Sequence, residues 1–218
     1  MEAAPRPPRR YSGLTTVERR AQRRERLLEA GLELFGTQGY AGTSIRAVCA
    51  AAGLNPRYFY ESFTSREDLL YHVYFGIVAD IGVRVSEAVA AADTIESKAR
   101  AGLQAGWLAL IDDRRKARII ALEVVGVSDR LEQLRRQMRH ALADLTAQQA
   151  LSIAGPGVRL RMDPVLVSRA LMGGVVEILG DWINGDLDAS PDEVVEHFTR
   201  LFTAAAYASV ESQEIQDV

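Results

Sequence analysis

The chain has 218 residues, of which 48% are hydrophobic, enough to bury a small core and a larger one. Its single cysteine, Cys49, excludes an intrachain disulfide and suits a reducing cytoplasm. The opening MEAAPRPPRR lacks the apolar centre of a secretory signal, and no apolar run reaches membrane-spanning length, so a soluble cytoplasmic protein is expected. The net charge of −3 conceals a division: residues 1–66 hold 11 Arg and no Lys against 6 Glu, a net +5, and the remaining 15 basic against 23 acidic residues give −8. A basic head joined to an acidic body can still meet a polyanion, because the local patch governs phosphate contact.

Residues 1–17 combine Pro5, Pro7 and Pro8 with Arg6, Arg9 and Arg10, a composition unable to form a packed core. They read as a disordered basic arm, with a sharper alternative in which the arm follows phosphates or enters a minor groove. The first clear helix is predicted from about Val17 to Thr37. Leu27, Ala30, Gly31, Leu34 and Phe35 fall on one face, and Gly39 ends the segment. Five arginines, Arg19, Arg20, Arg23, Arg24 and Arg26, precede or flank that stripe.

From Thr43 to Arg66 two short helices are separated by a glycine turn. Thr43 is expected to cap the first and Gly53 to end it; Asn55 caps the second and Pro56 opens it, where its missing N–H costs nothing. This is helix-turn-helix spacing. Ile45, Val48, Leu54, Phe59 and Phe63 are expected to close over the first helix as core, and Cys49 to be a small packed residue. Arg46 and Arg57 sit in the first turns of the two short helices, where the positive end of the helix dipole disfavours a cation by about 0.3–1 kcal/mol. An external anion reverses that cost. In the next helix Ser65 is followed by Glu67 and Asp68, the ordinary self-stabilising arrangement. With Tyr58 and Tyr60 beside them, the two arginines point to DNA, although either alone reads equally well as a solvated surface charge.

These residues carry a resemblance. Leu27–Phe63, LLEAGLELFGTQGYAGTSIRAVCAAAGLNPRYFYESF, with the run Ser65–Leu70, resembles the amino-terminal domain of the TetR family of transcriptional regulators. The resemblance implies an all-α homodimer in which a three-helix DNA-binding domain, here residues 18–64, precedes a larger helical effector-binding and dimerisation domain, 65–212, with a tail at 213–218. It also implies a palindromic operator of double-stranded DNA and a small-molecule effector. Tyr58 and Glu61-Ser62 depart from the commonest family pattern, so no operator sequence can be borrowed. The DNA-contacting set is expected to be Thr43, Ser44, Arg46, Asn55, Arg57, Tyr58, Tyr60 and Arg66. Arg57 and Tyr58, at the start of the second short helix, are placed to read base edges, arginine matching guanine. By resemblance Tyr60 and Arg66 would hold phosphates.

The body reads as further helices: Ser65 to about Ala92, then roughly Ile95–Asp112, Arg114–Val125 and Ser128–Ile153. A Gly-Pro-Gly loop follows at 154–162. Asp163 and Pro164 open a helix to about Ile183, and Ser190, Pro191 and Glu193 make a capping box for a last one to about Val210. The helix from Ser65 is the expected lever, since it leaves one domain and enters the other. On the last two helices Val167, Leu171, Gly174, Ile178 and Trp182, with Phe198, Leu201, Phe202 and Ala205, form apolar faces that the resemblance assigns to a dimer interface and that are equally good as monomer core. Trp107, Ile111, Ile119, Leu122, Glu123, Met138 and Leu142 are the candidate effector-lining residues, again equally good as core.

Neither a metal site nor a cofactor is expected, because His72, His140 and His197 lack ligand spacing. No nucleophile–base pair or phosphate-cradling glycine loop suggests an enzyme. The function expected is a ligand-responsive DNA-binding regulator, a repressor by family habit. A TetR-like activator, or a helical protein-binding adaptor without specific DNA binding, is the alternative; the adaptor leaves the arginines at two helix starts unexplained.

Overall fold

A computed structural model describes residues 15–154 and 161–209. Residues 1–14 of the expected arm, most of the Gly-Pro-Gly loop and the tail lie outside the described residues; Thr16 and Val17, expected in the arm, are already helical. Those described form nine α-helices and one turn of π-helix, with no strand among them. The chain divides between Val73 and Tyr74 into two compact units. That division falls inside a helix, two turns later than the 64/65 boundary expected from sequence. The reason is packing: Leu69, Leu70 and Val73 are buried, and Leu69 and Val73 close directly over Gly31.

In the first unit, α1 (Thr16–Gly42) starts at Thr15 with a complete capping box to Glu18. It breaks near its end at Gly39, whose φ of 80° an L side chain resists. Leu27, Ala30, Gly31, Leu34 and Phe35 are buried along one face, as the spacing predicts. Across from them lie α2 (Ile45–Ala51) and α3 (Pro56–Tyr60), which contribute Val48, Cys49 and Phe59; Phe63 follows α3. Thr43 does not cap α2. Its hydroxyl is buried and donates towards Leu34 O and Gly39 O, so it ties off the end of α1. Ser44 caps α2 instead, accepting from the Ala47 N–H at 3.1 Å. Asn55 caps α3 by accepting from the Arg57 N–H at 3.0 Å, with Pro56 in the first turn. Gly53, at φ 62°, makes the turn between them.

The second unit begins within α4 (Arg66–Ala90). It continues through α5 (Ile95–Ile111), α6 (Arg114–Arg118), the π turn Ile119–Glu123, α7 (Asp129–Ala154), α8 (Pro164–Asn184) and α9 (Pro191–Ala208). The expected single helix from Arg114 to Val125 is therefore an α turn, a π turn and a break. α5 packs on α9, α7 on α8, and the π turn on α8. The capping box of Ser190 and Glu193 opens α9, and Asp163 caps α8 by accepting from Val165 N–H at 2.8 Å. No helix among the described residues is long and apolar enough to cross a membrane.

Candidate nucleic-acid interface and effector cavity

The two short helices of the first unit present their amino-terminal ends with different degrees of commitment. Arg46 is exposed and makes no hydrogen bond or ion pair among the described residues. The Arg57 side chain is 85% exposed and lies 3.7 Å from Glu61, one turn on in α3. Both guanidiniums therefore remain available to an external anion, and at these helix starts the unpaired N–H groups favour the same anion.

Glu61 is the tie point behind α3. Its backbone carbonyl accepts from Arg20 at 2.5 Å, and its carboxylate holds Arg23 at 3.3 Å. Arg23 in turn lies over the Tyr58 ring, 4.4 Å from its centroid. Part of the arginine cluster of α1 thus pins the far end of α3 and fixes the Tyr58 ring beside it. This is a structural use for the Glu61 departure from the family pattern, and it needed coordinates to find because the partners are 38 and 41 residues apart.

The other sequence-derived contacts divide. Ser44, Asn55 and Tyr60 are exposed, with Tyr60 at 62%. Arg66 faces inward: it donates to Thr43 O at 2.6 Å and stacks 4.0 Å over the Tyr40 ring. Thr43 is 1% exposed with its hydroxyl engaged, so its side chain offers a phosphate no surface; its carbonyl serves instead to hold Arg66.

The second unit contains a cavity of about 470 Å³, within the size range of small-molecule sites. Of the residues singled out from sequence as an effector lining, Trp107, Met138 and Leu142 line it. Ile111, Ile119, Leu122 and Glu123 do not, because the α6 and π-turn stretch packs against α8 and turns Ile119 into fully buried core. Glu123 accepts from Arg118 at 2.8 Å. Val167, Leu171, Phe198 and Phe202, considered for a dimer interface, line the same cavity. Phe198 also lies against Gly174, and Trp182 meets Trp107 edge to face at 6.2 Å. Of that set Leu201 is well exposed, at 54%, whereas Ile178 and Ala205 are half-buried.

A second stripe of α8 runs about one third of a turn away, through Leu166, Ala170 and Glu177, which are exposed, and Gly173 and Gly180, which are half-buried; Leu166 is 66% exposed. On α9 the outward residues include Leu201, Ala204 and Tyr207. Sequence periodicity shows that these helices are amphipathic, but on α8 two stripes one position apart compete, and only packing separates them.

Polar lining residues Tyr74, Lys98, Arg135 and Arg139 escaped the sequence reading. They are scattered over three helices, and only the run of lining positions 135, 138, 139, 142, 146 and 149 on α7 could have signalled them. Burial pushes the Tyr74 phenol up to about 12, with the nearby Arg135 and Arg139 guanidiniums opposing that shift.

Residues 27–73 match the family model described as bacterial regulatory proteins, tetR family. No curated protein sequence matches the chain significantly. Among solved structures, a TetR-family transcriptional regulator of Syntrophomonas wolfei str. Goettingen superposes with a TM-score of 0.73 at 18% identity, covering 90% of this chain and 99% of that one. The fatty acid degradation regulator FadR of Bacillus halodurans gives 0.72 at 16% identity, covering 83% and 94%. FadR of Bacillus subtilis in complex with stearoyl-CoA gives 0.70 at 18%, covering 83% and 98%. At these identities the likeness is one of fold.

Proposed function

We propose, from the match of residues 27–73 to the tetR-family model, that the chain acts in the cytoplasm as a homodimeric, ligand-responsive transcriptional repressor of the TetR family on a palindromic operator. The observation that carries the DNA half is the pair of exposed guanidiniums, Arg46 and Arg57, at the starts of adjacent short helices. Arg57 enters the major groove with the amino-terminal end of α3, and Tyr60 lies beside the phosphates. Arg66 serves this interface from behind, by holding Thr43 and Tyr40 in place.

A palindrome requires a two-fold partner, with half-sites about 34–36 Å apart or at a related spacing. The exposed residues Leu166 and Ala170 on α8, with Leu201 on α9, support a second copy as that partner. A Cβ at Gly173 or Gly180 would meet nothing within 4 Å, so an approaching helix finds a low surface there.

The cavity of the second unit supports control by a small molecule. A structural neighbour of the same fold holds stearoyl-CoA. A ligand can shift operator affinity only by binding one state of the dimer better than another, and such couplings run to about 1–3 kcal/mol. Footprinting across the DNA upstream of the protein's own gene, with wild type and Arg57→Ala side by side, tests the reading. Protection of a two-fold symmetric site that disappears in the variant is expected. Protection indifferent to Arg57, or none on any promoter fragment, would refute it.

A further inference from the structure

The chemistry of the cavity wall selects a class of ligand. Most of the lining is aliphatic or aromatic, and the charged residues among the described lining residues are Lys98, Arg135 and Arg139; the carboxylate beside them, Glu132, is paired with Arg135 and lies outside the lining. One carboxylate against two guanidiniums leaves an excess of positive charge beside an apolar space, which an anionic ligand would offset. The three differ in availability. Arg135 already donates to Glu132 at 3.2 Å, and Lys98 to Gln149 at 3.4 Å. Arg139 makes no hydrogen bond or ion pair among the described residues.

Beside the two α7 guanidiniums stands Tyr74, 2% exposed, whose hydroxyl has no hydrogen-bond partner among the described residues although the residue lines the cavity. Trp107, 5% exposed and also in the wall, leaves its indole N–H without an acceptor. A buried donor without an acceptor, such as the Trp107 indole N–H, is rare in folded proteins and marks a place where a ligand or water completes the site. Away from this polar end the space is elongated. Tyr74, Val78, Ile81, Val85 and Val89 all line it from one helix, and Tyr74 to Val89 spans about 22 Å of helix axis.

We infer that the effector is a long-chain anionic amphiphile, whose acid head is bound by Arg139 and Tyr74 with Arg135 alongside, and whose apolar chain runs along α4 towards Val89. The assignment rests on the effector reading of the cavity and narrows it to a chemical class. A carboxylate and a phosphate satisfy the same donors, since both present several acceptor oxygens to a guanidinium and a phenol. The free acid and its coenzyme A thioester are therefore separate arms of the test. A neutral chain of equal length lacks the charge that the guanidiniums require.

The two tryptophans supply the readout. In a Trp182→Phe background, Trp107 reports occupancy by fluorescence, with no DNA present. Full-length protein is titrated with palmitate, palmitoyl-coenzyme A and hexadecanol below their aggregation limits. Binding of either anionic probe at least tenfold tighter than hexadecanol is expected; palmitate alone would place a carboxylate at the head site, and the thioester alone its phosphates. Arg139→Gln should weaken the anionic probe by about 10- to 100-fold, and leave hexadecanol unchanged. Arg139→Lys should recover part of that loss, and the melting temperature of each variant checks that it is folded. Hexadecanol binding as tightly as the acids, or an Arg139→Gln protein that binds them undiminished, would overturn the inference. If the probe binds but an operator fragment is not released, the inference stands and control of the operator by that ligand fails.

Discussion

Arg57 and Arg66 lie nine positions apart in one arginine-rich unit, yet the structure commits them to opposite jobs. Arg66→Ala removes a charged hydrogen bond of 2.6 Å to Thr43 O and a cation stacked 4.0 Å over Tyr40. A hydrogen bond to a charged group contributes about 1.5–3 kcal/mol, and the stacking at a half-buried site about 0.5–1 kcal/mol. The loss is about 2–4 kcal/mol, which for the first unit corresponds to a fall in melting temperature on the order of 10 °C. Arg57→Ala should behave differently. Its side chain is 85% exposed and its pair with Glu61 is long, 3.7 Å, so stability should change by under about 0.5 kcal/mol. The cost appears on DNA instead, as a loss of about 1–3 kcal/mol in discrimination at one base pair. Thermal unfolding of the DNA-free protein, paired with competition gel shifts on operator and scrambled duplex, separates the two. An Arg66→Ala protein as stable as wild type, or an Arg57→Ala protein that melts early with unaltered base preference, would show this division of roles to be mistaken.

Gly53→Ala should destabilise the first unit by about 1–2 kcal/mol, because φ is 62° there. The Arg26 guanidinium, 2.7 Å from the new Cβ, is a flexible end that can move aside, so the backbone term dominates and denaturant titration should show a lower midpoint with unchanged slope. The Asp113 carboxyl is held below the usual carboxylate range, first by its side-chain hydrogen bonds with Arg115. A depressed folded value means that its contribution is complete above about pH 4 and disappears as the pH falls through the folded value. Asp113→Asn keeps a competent cap for α6, so it should lower stability at neutral pH and flatten the acid limb of a melting-temperature profile; an unaltered limb would refute the assignment. Leu201→Glu places a charge on the outward stripe of α9, and should shift a micromolar sedimentation profile from dimer to monomer while leaving the circular dichroism of the subunit intact. The same substitution with no change in mass would remove that stripe from the interface.

Much of the first unit was legible because its signals are local. Asn55-Pro56, Gly53 and the Leu27-to-Phe35 stripe each act within a turn or two, where propensity and periodicity are decisive. Even there Thr43 was misplaced as a cap, since the choice between adjacent hydroxyl residues is settled by which one the end of α1 buries. Arg66 reads from sequence as a phosphate ligand, and its hold on the Thr43 carbonyl and the Tyr40 ring needed the structure to find. In the second unit, helix existence was readable from caps and spacing, but facing was not. An apolar stripe says that a helix buries something, without naming a neighbour. Hence Val167, Leu171, Phe198 and Phe202 turned out to line a cavity, and Tyr74, Lys98, Arg135 and Arg139 entered its wall unannounced.

By itself the sequence determined the all-helical class, the helix-turn-helix and the basic head that suits it to DNA, because those follow from residue types acting over a few positions. Tertiary structure alone decided that Glu61 braces the reading helix through Arg20 and Arg23, that the unit boundary lies within α4, and that Lys98, Arg135 and Arg139 share one cavity wall. Those facts depend on residues tens of positions apart meeting in space, where the packing of whole helices, and not the preference of any one residue, sets which side chains share a wall.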